Sequence, residues 1–263
     1  MLTTNFLKTR TSTRQYLDKA IDEEDLKKLN EKIAEIQNEL GNDQIKYFVS
    51  KNGQEIFDKL NGSAGYKGIM IKAPYYIGVS NLNNSDNSYV KGAYGLEAII
   101  TVLDKLNLGS CWVSLQDADV KLINEAFSCK EGEIYSMLAF GYPEDDQVRE
   151  HKFDDRKGVN EFVFIDSLET KASVEQLEQR GMDDLFHYLR FAPSAYNSQP
   201  WRFLIVEDKI ELYIEGYKGE INLIDAGIVM YYFDELTKSI TNSKWQIETK
   251  AKGQYQYIGS KSL

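Results

Sequence analysis

Over residues 22–37 apolar side chains recur three and four positions apart, and Leu26, Leu29, Ile33 and Ile36 share one side of a helix whose first turn holds Asp22, Glu23 and Glu24. A short apolar run at 45–49 predicts a strand. Beyond a glycine-rich connection, NGSAGYKG, residues 75–80 predict a second strand. Residues 94–106 predict a helix apolar enough to be buried on most sides. Leu108, Gly109 and Ser110 break it and lead into a strand at 111–114. A short helix at 120–127 precedes a strand at 135–140, which Gly141, Tyr142 and Pro143 end. Residues 144–157 are charged and predict a loop.

A second series starts near Ser173. A helix is expected over 182–191, a turn through APSAYNSQP, a strand at 201–206 and a hairpin turn at 207–209 into a strand at 210–214. A second apolar helix is expected from Ala226 to about Ile240, with 245–248 extended.

The two series resemble each other. Asp25-Leu26 and Asp184-Leu185 each lie in a helix followed by a strand, IKYFVSKN in one case and WRFLIVED in the other. Gly95 begins an apolar helix leading to Trp112, and Gly227 begins one leading to Trp245 at nearly the same interval. This predicts a divergent duplication, with one repeat over 1–168 and a shorter one over 169–263, in which nothing matches the first repeat's ending at 135–163. Two such repeats in one chain can reproduce a homodimer and its pseudo-two-fold interface.

Composition narrows the function. The chain has 263 residues, 42% of them hydrophobic, enough for a packed core, and a formal charge of −10. Such a charge repels nucleic acid and anionic lipid, so neither is expected as a partner. A bound anion must therefore find a local basic patch. Cys111 and Cys129 form no CxxC pair and read as free thiols of an intracellular protein. The N-terminal residues lack a signal-peptide apolar stretch, and Glu97, Asp104 and Lys105 interrupt the most apolar helix, so a soluble, cytoplasmic protein is expected.

The chain contains no GxxxxGK[ST], HExxH, GxSxG or strand-borne GxGxxG, and its two histidines, His151 and His187, make a histidine metal site improbable. A bound cofactor is the economical source of chemistry, with no metal. Four segments could hold one. In Arg10-Thr11-Ser12-Thr13-Arg14 alternate side chains fall on one side, so two guanidinium groups and a hydroxyl could converge on a phosphate. Alone, that segment reads more readily as a solvated lead-in. APSAYNSQPW, residues 192–201, holds two of the chain's four prolines among small and amide side chains. It is either an ordinary helix-to-strand loop or a surface that lets a flat ligand approach the backbone. In residues 108–114, Cys111 and Trp112 read as core, with the backbone just after them able to face a ligand. Arg156-Lys157, taken alone, reads as solvated surface.

Together these segments resemble the nitroreductase family of FMN-dependent oxidoreductases. The early R-x-S-x-[RK] motif is matched by Arg10, Ser12 and Arg14, and A-P-S-[AS]-x-N-x-Q-P-W-x-F is matched in full by Ala192 through Phe203. The helix-to-strand turn of the family is seen at Leu108 to Trp112, and its G-Y-P ending at Gly141 to Pro143, followed by Arg156. The resemblance implies an α+β, nitroreductase-like fold (the FMN-dependent nitroreductase fold) with two divergent repeats in one chain forming a pseudo-dimer. In ordinary members the two long motifs lie close together in one subunit, and each FMN takes one motif from either partner of a homodimer. Here the first repeat has RTSTR but reads AEIQNELGNDQ where the second motif belongs, and the second repeat has APSAYNSQPW without R-x-S-x-R before it. Each repeat keeps half a site, which implies one FMN per chain and a monomer sufficient for activity.

By that resemblance Arg10 and Ser12 bind the phosphate, with Arg156 and Lys157 closing on it, and Thr11 and Gln199 are also cofactor-binding. Arg14 sits near N1 and O2 of the ring, where a fixed positive charge stabilises the reduced flavin. Pro193, Ser194, Ala195 and Asn197 line the ring edge and ribityl chain. Backbone at Val113 and Ser114 faces the pyrimidine side, and the loop 66–68 approaches N5. The implied reaction is ping-pong: NADH or NADPH reduces FMN, and an electron-poor small molecule such as a nitroaromatic or quinone is then reduced. No side chain is required as acid or base, because flavin N5 carries the chemistry. The alternatives are an FMN-binding protein without reductase turnover (flavin storage or redox sensing), a different flavin chemistry, or a scaffold that has lost FMN.

Overall fold

In the computed structural model, residues 10–144 and 155–263 are described. The chain divides into two compact units, Thr11–Val148 and Met1–Arg10 with Arg149–Leu263.

The first unit opens on α1 (Glu23–Leu40). Its acidic first turn complements the helix dipole, and Leu26, Leu29 and Ile33 are its buried stripe. Gly41 ends it at a φ of 113°, donating its N–H to Gln37 O at 3.0 Å. Then come β1 (Ile45–Ser50), α2 (Gly53–Leu60), β2 (Tyr75–Asn81), α3 (Asp86–Lys105), β3 (Gly109–Val113), α4 (Val120–Ala126) and β4 (Glu133–Gly141). The strands form one antiparallel sheet in the order β1-β2-β4-β3. On one side, Ile56 and Leu60 of α2 and Ile123 of α4 pack with Tyr76, Val113 and Met137 of the strands.

Two sequence expectations change here. The helix expected from Tyr94 begins at Asp86, because Ser85 caps it and accepts the Asn87 N–H at 3.2 Å, so its polar first turns are helical as well. The residues after β1, which carry no periodic signal, contain α2, capped by the Asn52 side chain on the Glu55 N–H. α3 is buried on nearly every side, Glu97 included, and that carboxylate accepts the Trp112 Nε1–H at 2.8 Å. Gly95 therefore lies in mid-helix: a Cβ there would stand 1.9 Å from the Tyr47 hydroxyl, which donates to Gly92 O.

The second unit holds α5 (Val159–Phe162), β5 (Val163–Ile165), α6 (Val174–Gln179), α7 (Asp183–Leu189), β6 (Trp201–Val206), β7 (Lys209–Glu215), α8 (Glu220–Thr237), β8 (Gln246–Lys252) and β9 (Tyr255–Ser262). Its sheet runs β5-β6-β7-β9-β8, antiparallel except for β5 beside β6. An aromatic core joins the sheet to its helices: Phe203 stacks on Phe233 with centroids 5.7 Å apart and meets Phe186 at 5.7 Å. α8 starts at Glu220, ahead of the expected Ala226.

The strand order β6-β7-β9-β8 repeats β1-β2-β4-β3, and in both sheets a long apolar helix connects the second strand to the third. In the second sheet β9 takes the place in the strand order that β4 holds in the first. Its last turns of sequence were illegible because YQYIGSKS lacks an apolar–polar alternation; residues 256–261 are buried without regard to polarity. β5 pairs with β6 and lies in the second unit. Among the described residues no helix is long and apolar enough to cross a membrane.

Candidate functional site

The first unit carries one group of expected residues. Residues 11–14 run beside β3, where Thr13 donates its N–H to Ser110 O at 2.9 Å. Gly109 makes room, since a Cβ there would lie 2.4 Å from the Thr13 hydroxyl. Tyr16 fixes the segment from behind: its hydroxyl lies 2.7 Å from Thr13 O and 3.1 Å from Ala139 O, and burial pushes that phenol's pKa up, keeping it a neutral donor. Ser12 is half-buried and Arg14 exposed. Val113 is buried, whereas Ser114 is exposed and accepts the Gly65 N–H at 2.8 Å. The loop 62–69 therefore does come to Ser114, with Tyr66 and Ile69 exposed on it.

Gly65 makes that approach possible. Its φ is +89°, and a Cβ would meet Ile69 O at 2.1 Å. Gly65→Ala is expected to cost at least about 2 kcal/mol of stability and to release the loop from Ser114. Urea denaturation and amide exchange over residues 62–70 measure both; an unchanged exchange rate would contradict the loop's dependence on this glycine.

The second unit carries the APSAYNSQPW loop, and the loop is strained. Tyr196, Asn197 and Gln199 have φ of 54°, 53° and 47°. A left-handed conformation costs a non-glycine residue about 1 kcal/mol or more. Side-chain hydrogen bonds hold it there. Asn197 Nδ2 donates to Asp155 O at 2.6 Å, and Gln199 Nε2 to the same oxygen at 3.1 Å. Gln199 Oε1 accepts the Lys157 N–H at 2.8 Å, and Lys157 Nζ donates to Gln199 O at 3.0 Å. Ser194 Oγ accepts the Gln199 N–H at 3.0 Å. Asp225, on α8, accepts the Ala195 N–H at 2.8 Å; burial pushes its pKa up to about 7, against that amide and Asn222, which favour the charged form.

Arg156, Arg190 and Arg10 lie together in the same unit. Arg156 Nη1 donates to Ala192 O at 2.7 Å, and Arg190 Nη2 to Arg156 O at 3.2 Å. Burial lowers the Arg156 pKa, and the positive charges of Arg10 and then Arg190 lower it further, with Tyr232 and Asp155 opposing. Three guanidinium groups that repel one another are held close in a chain of net charge −10. An anion placed among them replaces repulsion with charge-assisted hydrogen bonds. A phosphate group fits that chemistry.

A family described as putative TM nitroreductase matches residues 3–236. The chain belongs to this nitroreductase family. A crystal structure of a putative nitroreductase from Thermotoga maritima MSB8 is similar over 99% of this chain and 93% of its own, with 16% identity and a TM-score of 0.62. An FMN-dependent nitroreductase from Clostridium difficile R20291 covers 57% of this chain and 92% of its own at 20% identity, with a TM-score of 0.48. A nitroreductase with bound FMN from Bacteroides fragilis NCTC 9343 covers 56% and 91% at 19% identity, with a TM-score of 0.47. At 16% identity the likeness to the Thermotoga maritima structure concerns the fold. No curated protein matches the chain.

For this member of the nitroreductase family, the unit boundary falls inside RTSTR, between Arg10 and Thr11. Arg10 joins Arg156, while Ser12 and Arg14 lie beside β3. Gln199 and Lys157, expected at the ligand, spend their polar atoms on the loop itself. Gln199 is 4% exposed, and burial and then Arg202 lower the Lys157 pKa. Sequence reasoning missed Arg190 and Asp225. An acid inside the apolar run of α8 is the signal that could have found Asp225. Of the charged stretch 144–157, residues 145–154 and His151 with them lie outside the described residues. Among the described residues no group of three or more His, Cys, Asp or Glu is placed to hold a metal ion.

Proposed function

We propose that the protein is an FMN-dependent oxidoreductase taking electrons from NADH or NADPH. The observation that carries this reading is the arginine cluster of Arg10, Arg156 and Arg190 beside the strained APSAYNSQPW loop, all in one unit. Bound FMN supplies two-electron redox chemistry toward a nitroaromatic, quinone or similar electron-poor small molecule. Arg10 and Arg156 hold the phosphate, and Arg190 joins them. Pro193, Ser194, Ala195 and Asn197 form the loop surface along the ring edge and ribityl chain. Gln199 and Lys157 shape that loop from within. Thr11, Ser12, Arg14, Val113 and Ser114 take the parts that the family resemblance gives them, Arg14 stabilising negative charge on the reduced ring. No side chain acts as acid or base.

The repeated strand order and the division of the motifs between the two series support a duplicated chain with one FMN per chain, active as a monomer and, as a pseudo-dimer, in no need of a second copy. Its place is the cytoplasm, with neither nucleic acid nor membrane as a partner.

The test is the visible spectrum of the purified protein loaded with FMN. Flavin absorbance is expected to bleach with NADH or NADPH and to recover with a nitroaromatic or quinone. A yellow protein that neither nucleotide bleaches points to flavin storage. Failure to take up FMN, or an uptake of two per chain, overturns the assignment or its stoichiometry.

A further inference from the structure

α8 is apolar over most of its length, and Asp225 interrupts it from within, 1% exposed. A buried carboxylate is costly unless it is bonded, and what bonds this one is specific. One oxygen accepts the Ala195 N–H at 2.8 Å, and the other lies 3.5 Å from Asn222 Nδ2. Asn222 in turn accepts the Lys218 N–H at 2.7 Å, so the pair is fixed from the start of the helix. Seven residues on, Tyr232 is close enough to Arg156 to act on its charge. Positions seven apart share a helix face, so one face of α8 reaches both the loop at Ala195 and the arginine cluster.

Ala195 directly precedes the strained pair Tyr196 and Asn197. The Asn197 and Gln199 side chains fasten the far end of that turn to Asp155. The near end is fastened by Asp225. We propose that Asp225 is the positioning residue of the flavin-binding loop: its carboxylate holds the Ala195 amide, and thereby the left-handed turn that follows, in the conformation that receives the ring. This rests on the flavin assignment above, yet its first readout needs no flavin.

The test compares Asp225→Ala, which removes the acceptor, with Asp225→Asn, which keeps an oxygen at the same place. In the flavin-free protein, amide exchange across residues 192–200 is expected to quicken about tenfold in Asp225→Ala, the upper worth of one ordinary hydrogen bond, and to stay near wild type in Asp225→Asn, which keeps the acceptor. Riboflavin and FMN affinities, read by quenching of flavin fluorescence, are expected to fall together and by a similar factor in Asp225→Ala. A residue serving the phosphate would affect FMN alone. Should Asp225→Ala fold poorly, Asp225→Ser, which offers a shorter acceptor, is expected to give an intermediate exchange rate. Unchanged exchange in Asp225→Ala overturns the proposal, as does an Asp225→Asn as impaired as Asp225→Ala. If the wild type binds no flavin at all, the flavin assignment fails, while the exchange comparison still decides whether Asp225 sets the loop.

Discussion

Replacing Arg10 by glutamine is expected to weaken FMN binding roughly ten- to a hundredfold, the worth of a charge-assisted hydrogen bond to phosphate. Toward Arg156 and toward a phosphate the same charge acts with opposite sign. Without a ligand, Arg10 is one of the charges that disfavour the charged form of Arg156, so its removal relieves a repulsion. With a phosphate present, the same charge becomes an attraction. Arg10 is half-buried, so salt screens the effect less than it would at the surface. Equilibrium titration of FMN and of riboflavin measures the loss. Riboflavin has no phosphate and should bind wild type and variant alike. Equal FMN affinity in the two proteins would remove the arginine cluster from the phosphate site.

Phe203→Ala is expected to cost about 3–5 kcal/mol, a large share of the stability of an ordinary domain. Phe203 is fully buried, and its ring meets Phe162, Phe186 and Phe233, so truncation opens a cavity walled by three other rings that cannot all move in. Phe203→Leu fills most of that space and should cost less than half as much. Guanidinium denaturation gives the loss, and amide exchange should place it in β6, β7 and α8. A loss below about 1 kcal/mol would mean that this core repacks freely, contrary to its packing.

The apolar pattern located elements well where most of the buried positions are themselves apolar. α1 and the strands of the first sheet lie within a few residues of their expected bounds. It failed where burial is decided by neighbours distant in sequence. β9 lies between β7 and β8, so polar Gln256 and Ser260 are buried along with Ile258. α2 has only eight residues, too few for a period to stand out.

Sequence alone determined the family, since two motifs of fixed residue types suffice to state it, and also the local chemistry on offer: guanidinium groups, a turn rich in small and amide side chains, and a charge of −10 that makes any basic cluster informative. Only the tertiary structure decided which of those groups bond to one another within the protein. Gln199 and Lys157 looked like ligands, but the fold turns their polar atoms onto the loop's own backbone. Arg190 and Asp225 showed no motif, and the fold brings them to Arg156 and Ala195. The physical reason is that electrostatic and hydrogen-bonding energies depend on distances of a few ångströms. Between residues thirty or more apart in the chain, the path of the backbone sets those distances, and no local pattern records it.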